Sequence, residues 1–477
     1  MIPVMLDDDD THRTEKSFTI FAFLWAAAVL FHQAQYNHWA GGPIEMLESC
    51  LAVVLLFRPA SLRVFLTLTA FQLAQITKMM PFVPNHGLFV WMVIATIWLS
   101  AICLLVAPSG TWSRASLFRT FAPIVRLELL VLYFFVVFQK LNTDYFILDH
   151  SCAAKHYLEL AEALPLLPSA RWAQLSNIYV TLGIETLIPI LLALRRTRIW
   201  GIVLGLSFHF LVGANGYYNF SSLLIALFFL FAPVNAPDLA SRLFTRAREV
   251  VPGAVRGFLV RAWSSGILLG PLAIVLLVWA GNDWKRTPDI SLKLWWPYGL
   301  GTLLVFVAAC FQSKPEFPSN ASFYGFRFKV LAIPIGLLFL NGLSPHLGFK
   351  TETSFAMFSN LRTEAGHSNH FIIPVEAQIF DYQKDLVEIL STNHKHLELR
   401  ASKSGLVPYY SVRYDVSQVA RAGIENFRLS YIHEGQRHDL LNAETHPELS
   451  RPYPLWLRKI MDFRQVLDDR SRDECTH

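Results

Sequence analysis

Long apolar runs dominate this sequence. They are about 15 to 22 residues long and alternate with short segments that hold most of the arginines. A helix rises 1.5 Å per residue, so about 20 apolar residues cross the hydrocarbon core of a bilayer. Only 16% of the residues are charged and 53% are hydrophobic, which excludes an ordinary soluble enzyme. The pattern predicts a polytopic α-helical membrane bundle.

We predict about eleven membrane spans, within a range of nine to eleven. The second and seventh are the shortest. The predicted spans lie near residues 18–40, 44–58, 61–79, 87–107, 121–140, 174–194, 199–214, 218–233, 263–281, 295–312 and 328–344.

The basic residues give the bundle an orientation. With a cytoplasmic amino terminus, the cytoplasmic loops hold Arg58, Arg63, Arg114, Arg119, Arg195, Arg196, Arg198, Arg242, Arg246, Arg248, Arg256, Arg261, Lys314, Arg327 and Lys329. The first and seventh loops, on the opposite side, carry no Lys or Arg. This distribution satisfies the positive-inside rule. We therefore expect a multi-pass protein of the plasma (inner) membrane whose chain after about Ser344 is extracytoplasmic.

Four regions follow from this map. They are a cytoplasmic tail at 1–17, a membrane domain at 18–344, a connecting segment at 345–371 and a small extracytoplasmic α+β cap at 372–477. In the cap we expect strands over 370–382, 408–417 and 427–441, the last with a turn near Glu434 and Gly435. Residues 385–390 fit a strand or a helix, and 453–469 an amphipathic helix.

The stretch from Val131 to Glu159 is the most informative part of the chain, because an apolar and aromatic run ends there on Lys140. A lysine at the end of a span can simply extend its ammonium group to the interface. A lysine held inside lipid instead has its charged form disfavoured, so the amine becomes a base near neutral pH. Such a base suits a lipid-soluble acid such as a quinol.

Polar side chains on other spans are expected at the same outer depth as Lys140. They are His32 and His38 on the first span, Gln72, Gln75 and Lys78 on the third, and His209 on the seventh. On the first span, His32, Gln35, Tyr36 and Trp39 share a helix face by spacing, and Gln72, Gln75 and Lys78 read as one stripe. Polar groups in lipid face a protein interior or a wet cavity. Each histidine alone is equally compatible with a hydrogen-bonded packing role.

Three segments resemble the vitamin K-dependent gamma-carboxylase family, also called the horizontally transferred transmembrane domain. The first is KLNTDYF followed by SCA, beginning at Lys140; the second is Asn341–Glu364, and the third is the histidine-bearing span, loop and following span of Ser207–Phe231. The resemblance covers roughly residues 15–375. The chain is similar to the bacterial members of this family.

The resemblance implies an integral membrane enzyme that uses a reduced quinone, either vitamin K hydroquinone or menaquinol, together with dioxygen. In the family, the matching lysine takes a proton from the quinol, oxygenation gives a strong base, and a glutamate then adds carbon dioxide as the quinone leaves as an epoxide. Lys140 would be that base here. Membrane lipid, the quinone and a glutamate-containing protein substrate are the implied partners, and neither a metal nor a nucleic acid is implied.

The other site residues are assigned by depth. His32 or His209 would donate to the developing oxyanion, and Gln72, Gln75, Lys78, His38, Asn142 and Asp144 would contact the substrate. For Asn142 and Asp144 a structural role is favoured over substrate contact, since they follow a helix end where they can bind free backbone groups. In the second segment, His346 and Arg362 suit either a head-group contact or anchoring of the cap.

Five cysteines without CxxC spacing argue against a zinc site. Cys475 in the extracytoplasmic cap can pair with Cys152, because that compartment is often oxidising. The alternative is an unpaired Cys475 in a frayed terminus.

Two functions remain open at the level of sequence. The first is a quinol-dependent epoxidase, in which glutamate carboxylation is less certain because only about 105 residues follow Phe371, fewer than the region that binds substrate in the vertebrate enzyme. The second is a non-catalytic membrane protein for transport, lipid or quinone binding, or maturation of a partner. The chain lacks the paired broken helices of inverted-repeat transporters.

Overall fold

The computed structural model describes residues 8–37, 39, 41–108, 112–163, 166–238, 287–311, 315–467 and 475. It is mostly helical, with a small antiparallel sheet near the carboxyl terminus. The helices up to residue 343 are α1 Asp8–Asn37, α2 Pro43–Phe57, α3 Leu62–Met79, α4 Asn85–Val106, α5 Arg114–Phe138, α6 Cys152–Ala163, α7 Arg171–Ala193, α8 Arg198–Val212, α9 Tyr218–Phe229, α10 Thr287–Phe311, α11 Asn320–Tyr324 and α12 Ala332–Leu343. The predicted span at 263–281 lies outside the described residues.

Two compact units make up the chain. The first comprises Met1–Gln75, Val90–Leu130 and Thr186–Ile335, and the second Ile76–Phe89, Val131–Glu185 and Gly336–His477. Helices α5 and α7 each run through both.

Aromatic packing builds the core of the first unit. Phe18, Phe21 and Trp25 line the buried face of α1 at helical spacing. The Phe21 ring lies 6.1 Å from Phe65 on α3 and 5.4 Å from Phe121 on α5. Aromatic pairs at these distances stabilise a core beyond the area that they bury.

Helices α8 and α9 form a tight hairpin. The chain turns at Gly216, whose φ of +96° is readily adopted only by glycine. A Cβ atom added to Gly205 on α8 would lie 2.4 Å from the Phe228 ring on α9. The two helices can therefore pack closely because Gly205 has no side chain.

We expect Gly205→Ala to destabilise the protein by roughly 1–3 kcal/mol, because the added methyl overlaps the Phe228 ring. Gly183→Ala on α7 is the matched control. A Cβ there meets no atom within 4 Å, so this variant should match or exceed the wild type in stability. Thermal unfolding in nanodiscs measures both; equal effects of the two changes would contradict the close packing.

Six helical stretches are long and apolar enough to cross a membrane, counted over the described residues. They are Asp9–Asn37, Asn85–Val106, Arg114–Phe138, Arg171–Ala193, Arg198–Phe229 and Ile290–Ala309, and the apolar stretch Lys329–Leu343 is shorter. The fifth contains the α8–α9 hairpin, whose helices of 15 and 12 residues are each shorter than the roughly 20 needed.

Exposed apolar stripes mark the helix faces suited to lipid. On α7, Trp172, Tyr179, Leu187 and Ile190 fall on one side of the helix and are all exposed. Contiguous apolar surface of this extent is unfavourable in water. These helices are therefore those of a membrane-embedded protein.

A four-stranded antiparallel sheet forms the carboxyl-terminal part of the second unit, in the order β2-β1-β3-β4. Its elements are β1 Leu386–Thr392, α13 Lys395–Ala401, β2 Leu406–Pro408, α14 Tyr409–Arg421, β3 Leu429–His433, β4 Gln436–Leu440 and α15 Leu455–Ile460. Residues from helices and strands share one core, including Val387, Leu397, Val416, Leu429 and Tyr431. The expected β3–β4 turn is confirmed, with Glu434 and Gly435 both at positive φ.

Three expectations for the cap are wrong. Residues 370–382 form no strand, because Pro374 lacks an N–H and His370 instead pairs with Asn142. In the stretch expected as a strand at 408–417, only Pro408 belongs to a strand. The chain is helical from Tyr409, since the alternating Tyr and Val pattern conceals the period of Val412, Val416 and Val419. The helix expected at 453–469 ends at Ile460, after which the Asp462 carbonyl accepts hydrogen bonds from residues 351 and 352.

Candidate functional site

Lys140 lies buried just beyond the end of α5. Its side chain forms an ion pair and a hydrogen bond with Glu185 of α7. Lys140 is 4% exposed and Glu185 is 8% exposed. The amine therefore does not extend to solvent, and the interfacial interpretation of this lysine is wrong.

The position of Glu185 along α7 shows how deep this pair lies. At 1.5 Å per residue, Glu185 is about 21 Å from Arg171 and about 12 Å from Ala193, the two ends of the helix. Lys140 thus lies level with the interior of a 23-residue apolar helix. An ion pair in such surroundings is costly to desolvate, and removal of one partner leaves an uncompensated buried charge.

Tyr145 completes the immediate surroundings of Lys140. The ammonium nitrogen lies 5.9 Å from the centre of the Tyr145 ring. The ring is fully buried against Ala153, Ala154 and Ile178. Among the described residues its hydroxyl group has no hydrogen-bond partner. Buried hydroxyls are nearly always bonded, so this group is a donor available to a bound molecule.

Burial and the nearby Glu185 carboxylate both raise the pKa of Tyr145 well above its ordinary value. The group therefore keeps its proton at neutral pH. It can donate to a ligand oxygen but does not act as a base there.

Asn142 organises the backbone after Lys140. Its amide nitrogen donates to the Gln139 carbonyl at 2.8 Å and the Ser359 carbonyl at 2.6 Å. Its side-chain oxygen accepts from the Tyr145 N–H at 3.0 Å and from Asn369 at 3.4 Å. The bonding capacity of the side chain is used within the protein, which supports the structural role for Asn142.

Asp144 likewise binds a protein partner. Its carboxylate forms an ion pair with Arg362, with Oδ2 2.8 Å from Nε, and both groups are largely buried. Nearby, Asn360 donates to the His150 carbonyl at 2.9 Å and accepts from the Cys152 N–H at 2.9 Å. The segment around Arg362 therefore anchors the Lys140 loop.

Two buried histidines hold the end of α5. His346 Nε2 lies 2.7 Å from Gln139 Oε1, and Gln139 Nε2 donates to the Gly342 carbonyl. Gln139 Oε1 is an acceptor in this arrangement, so His346 carries its proton on Nε2. His370 Nε2 donates to the Phe138 carbonyl at 2.9 Å, while its Nδ1 accepts from residues 372 and 373. Both rings are consequently neutral.

Burial, with smaller contributions from His370 and Arg464, lowers the pKa of His346 from 6.5 to about 3. Burial also lowers the pKa of His370. Protonation of either ring would place a charge in this apolar cluster, where the two rings lie 4.6 Å apart. The cluster is therefore built for neutral histidine.

The second unit should lose stability in acid. A neutral His346 contributes fully above pH 6.5, and its contribution falls by roughly 1.4 kcal/mol per pH unit between about 6.5 and 3. In His346→Gln, the free energy of unfolding should depend less steeply on pH in this range. His367→Gln, at an exposed position, is the control, and identical slopes in all three proteins would refute a role for His346.

A disulfide joins Cys152, the first residue of α6, to Cys475. The pairing expected from the sequence is thus the pairing in the structure, and Cys475 is not a free thiol. It attaches the carboxyl-terminal chain to the loop that follows Lys140.

The remaining predicted site residues are divided between the units. His32, His209, Gln72 and Gln75 belong to the first unit, whereas Lys140, Lys78, Asn142 and Asp144 belong to the second. Their convergence on one site stays a prediction. His38 lies outside the described residues.

Within the first unit, these groups have their own partners. Gln72 accepts from Trp25 Nε1 at 3.0 Å, and Gln75 donates to Glu45. His209 is buried among aromatic rings, with Phe220 at 5.6 Å. His32 packs 4.8 Å from Tyr36.

Two predicted stripes need correction. Lys78 is exposed, while Gln72 and Gln75 are buried. Lys78 follows Gln72 by six residues, and six residues of helix fall about 120° short of two full turns. The Lys78 side chain therefore points away from the face that Gln72 and Gln75 share. Trp39 lies beyond the end of α1 and folds back to donate from Nε1 to the Leu30 carbonyl, so it does not extend the His32 face.

The sequence alone did not pair Glu185 with Lys140. A map that counts residues from the membrane surface puts Lys140 at a span end and Glu185 in mid-span, at different depths. Chemistry could have indicated the pair, because an acid such as Glu185 within an apolar span requires a partner and Lys140 was a cation without one.

No family model, curated protein or solved structure matches this chain. Within the described residues, no group of three or more His, Cys, Asp or Glu side chains could hold a metal ion.

Breaking the buried pair should be costly. We expect Glu185→Leu to destabilise the protein by about 3–5 kcal/mol, because Lys140 is left as an unpaired buried cation. The double variant Lys140→Met with Glu185→Leu should recover most of that loss, since it removes both charges. Unfolding in nanodiscs tests this; additive losses in the double variant would contradict the coupling.

Proposed function

We propose that the protein is a quinol-dependent membrane enzyme of the vitamin K-dependent gamma-carboxylase type. One observation carries the proposal: a buried amine, Lys140, is paired with an acid inside apolar surroundings, near the ring of Tyr145, whose hydroxyl group has no hydrogen-bond partner among the described residues. A lipid-soluble quinol has hydroxyl groups for such a site and an apolar body for its walls. The motif resemblance at Lys140–Tyr145 supports the same substrate.

The Lys140–Glu185 pair suggests how the proton moves. Lys140 accepts the proton of a quinol hydroxyl group while it passes one of its own protons to Glu185. Afterwards both side chains are protonated, and the Lys140 ammonium faces the oxygen that lost its proton. The base is thus the coupled pair and not an isolated amine.

Tyr145 would donate its hydroxyl proton in a hydrogen bond to the same ligand oxygen. Such a donor is effective because it is already oriented and shielded from water. When bound, the reduced quinone supplies the reaction with dioxygen that yields the epoxide and a strong base. Carboxylation of a glutamate with carbon dioxide would be a further step.

The proposed enzyme spans the plasma membrane about eleven times, with a cytoplasmic amino terminus and an extracytoplasmic cap. The arginine distribution along the loops supports this orientation. The Cys152–Cys475 disulfide also supports it, because both cysteines would lie in the compartment where disulfides persist.

A non-catalytic membrane protein is the second candidate. The internal partners of Asn142 and Asp144 favour it, because much of the motif is used to fasten the loop. In that case the Lys140–Glu185 pair would serve only to position helices.

Lys140→Arg separates the two candidates. Arginine keeps the positive charge and can pair with Glu185 but does not lose its proton at usable pH. We expect oxygen consumption with reduced vitamin K or menaquinol to fall by a factor of about 100 or more, as for loss of a general base, with little change in unfolding temperature.

Lys384→Met, at a partly exposed cap position, is the control and should keep full turnover. Unchanged turnover in Lys140→Arg would remove the base mechanism. A wild-type protein that consumes no oxygen with either quinol would favour the non-catalytic candidate.

A further inference from the structure

A cavity of about 570 Å³ lies within the first unit, separate from the Lys140 surroundings. It is bounded by the beginning of α1, the first half of α5, the end of α9 with the following turn, and the segment around α11. This volume falls in the range of small-molecule sites in proteins.

The cavity has an apolar wall and a basic side. Phe118, Ala122, Phe229 and Phe323 form the wall. The charged lining residues are Arg13, Arg119 and Arg126 with the carboxylates Asp10 and Glu316. Two of these arginines have acidic partners: Arg119 with Asp10 at 2.8 Å, and Arg13 with Asp9 and Asp238. Arg126 differs from them.

Arg126 points into the cavity from within an apolar helix. Its Nε donates to the Leu230 carbonyl and its Nη1 to the Phe323 carbonyl, both at 2.7 Å. Its guanidinium carbon lies 3.7 Å from the centre of the Phe323 ring. In the part of the chain that the structure describes, no carboxylate pairs with it.

A second cation lies against the same aromatic ring. The guanidinium carbon of Arg198 is 3.6 Å from the Phe323 centre, and Arg198 is fully buried. It donates to the Leu192 carbonyl and to Asn320 Oδ1. Its Nη1 has no hydrogen-bond partner, and no carboxylate neutralises it among the described residues. Two guanidinium groups thus share one ring without an anion.

Backbone contacts explain only part of this arrangement. The Leu230 carbonyl belongs to the end of α9, where the helix dipole supplies about half a negative charge. Helix α11 has five residues and supplies little. The two positive charges therefore exceed the partial negative charge of the carbonyl groups that they bind. Among the described residues, neither carboxylate of the cavity lining, Asp10 or Glu316, forms an ion pair with Arg126.

We propose that this cavity binds the anionic group of an amphiphile, a phosphate or carboxylate held by Arg126, with its apolar portion along the aromatic wall. The guanidinium fork is suited to bidentate binding of such oxygens. A phospholipid or a soluble phosphate compound offers the same chemistry. The site is independent of the proposed quinol reaction.

Ser322→Glu tests the proposal without removing an arginine. Ser322 is exposed and lines the cavity, so the new carboxylate would occupy the place of the ligand anion. Ser169→Glu, at an exposed position outside the cavity, adds the same charge elsewhere. The comparison separates the cavity from general surface electrostatics.

Thermal unfolding of the full-length protein would be compared in nanodiscs of phosphatidylcholine with and without phosphatidylglycerol. We expect phosphatidylglycerol to raise the midpoint for the wild type and for Ser169→Glu. In Ser322→Glu that rise should disappear, with lipid affinity by native mass spectrometry weakened about tenfold or more. The midpoint of Ser322→Glu in pure phosphatidylcholine should be higher than that of the wild type.

The source of the anion is distinguished by inorganic phosphate added in phosphatidylcholine nanodiscs. A midpoint rise with phosphate that Ser322→Glu abolishes would assign a soluble ligand, and a rise with phosphatidylglycerol alone would assign a lipid. Equal responses of wild type and Ser322→Glu to both additions, or no response of the wild type to either, would overturn the proposal.

Discussion

The buried pair of Lys140 and Glu185 is the interaction on which the second unit depends. Neither charge can be left alone in an apolar bundle, so the end of α5 and the interior of α7 are fixed against each other. The same constraint keeps water from the amine. Among the described residues, Glu185 is the one side chain that forms an ion pair with Lys140.

The segment from Asn341 to Phe371 stabilises the surroundings of this pair. It contributes His346, Arg362 and His370, which bind Gln139, Asp144 and the Phe138 carbonyl in turn. Two sequence blocks that lie about 200 residues apart thus form one local structure. The loop after α5 has little regular structure of its own, and these contacts hold it in place.

Much of the helical architecture was predictable, because runs such as 87–107 and 121–140 have no other way to satisfy their backbone groups in lipid. The β3–β4 hairpin was also predictable from its turn residues. Helix α14 was not predictable, since the alternation of Tyr410, Val412, Tyr414 and Val416 fits the period of a strand as well as that of a helix. The partner of Lys140 was missed for a different reason: counting residues gives depth along a helix but does not show which helices lie beside it. The internal partners of Asn142 likewise come from a segment distant in sequence, which no local pattern indicates.

The disulfide between Cys152 and Cys475 closes a large covalent loop, since the two cysteines are 323 positions apart in the sequence. The disulfide therefore cannot attach the loop beside Lys140 until Cys475 has been synthesised and oxidised. The whole chain between the two cysteines is synthesised before that bond can form. A partly synthesised chain therefore contains Lys140 before its loop is covalently joined to residue 475.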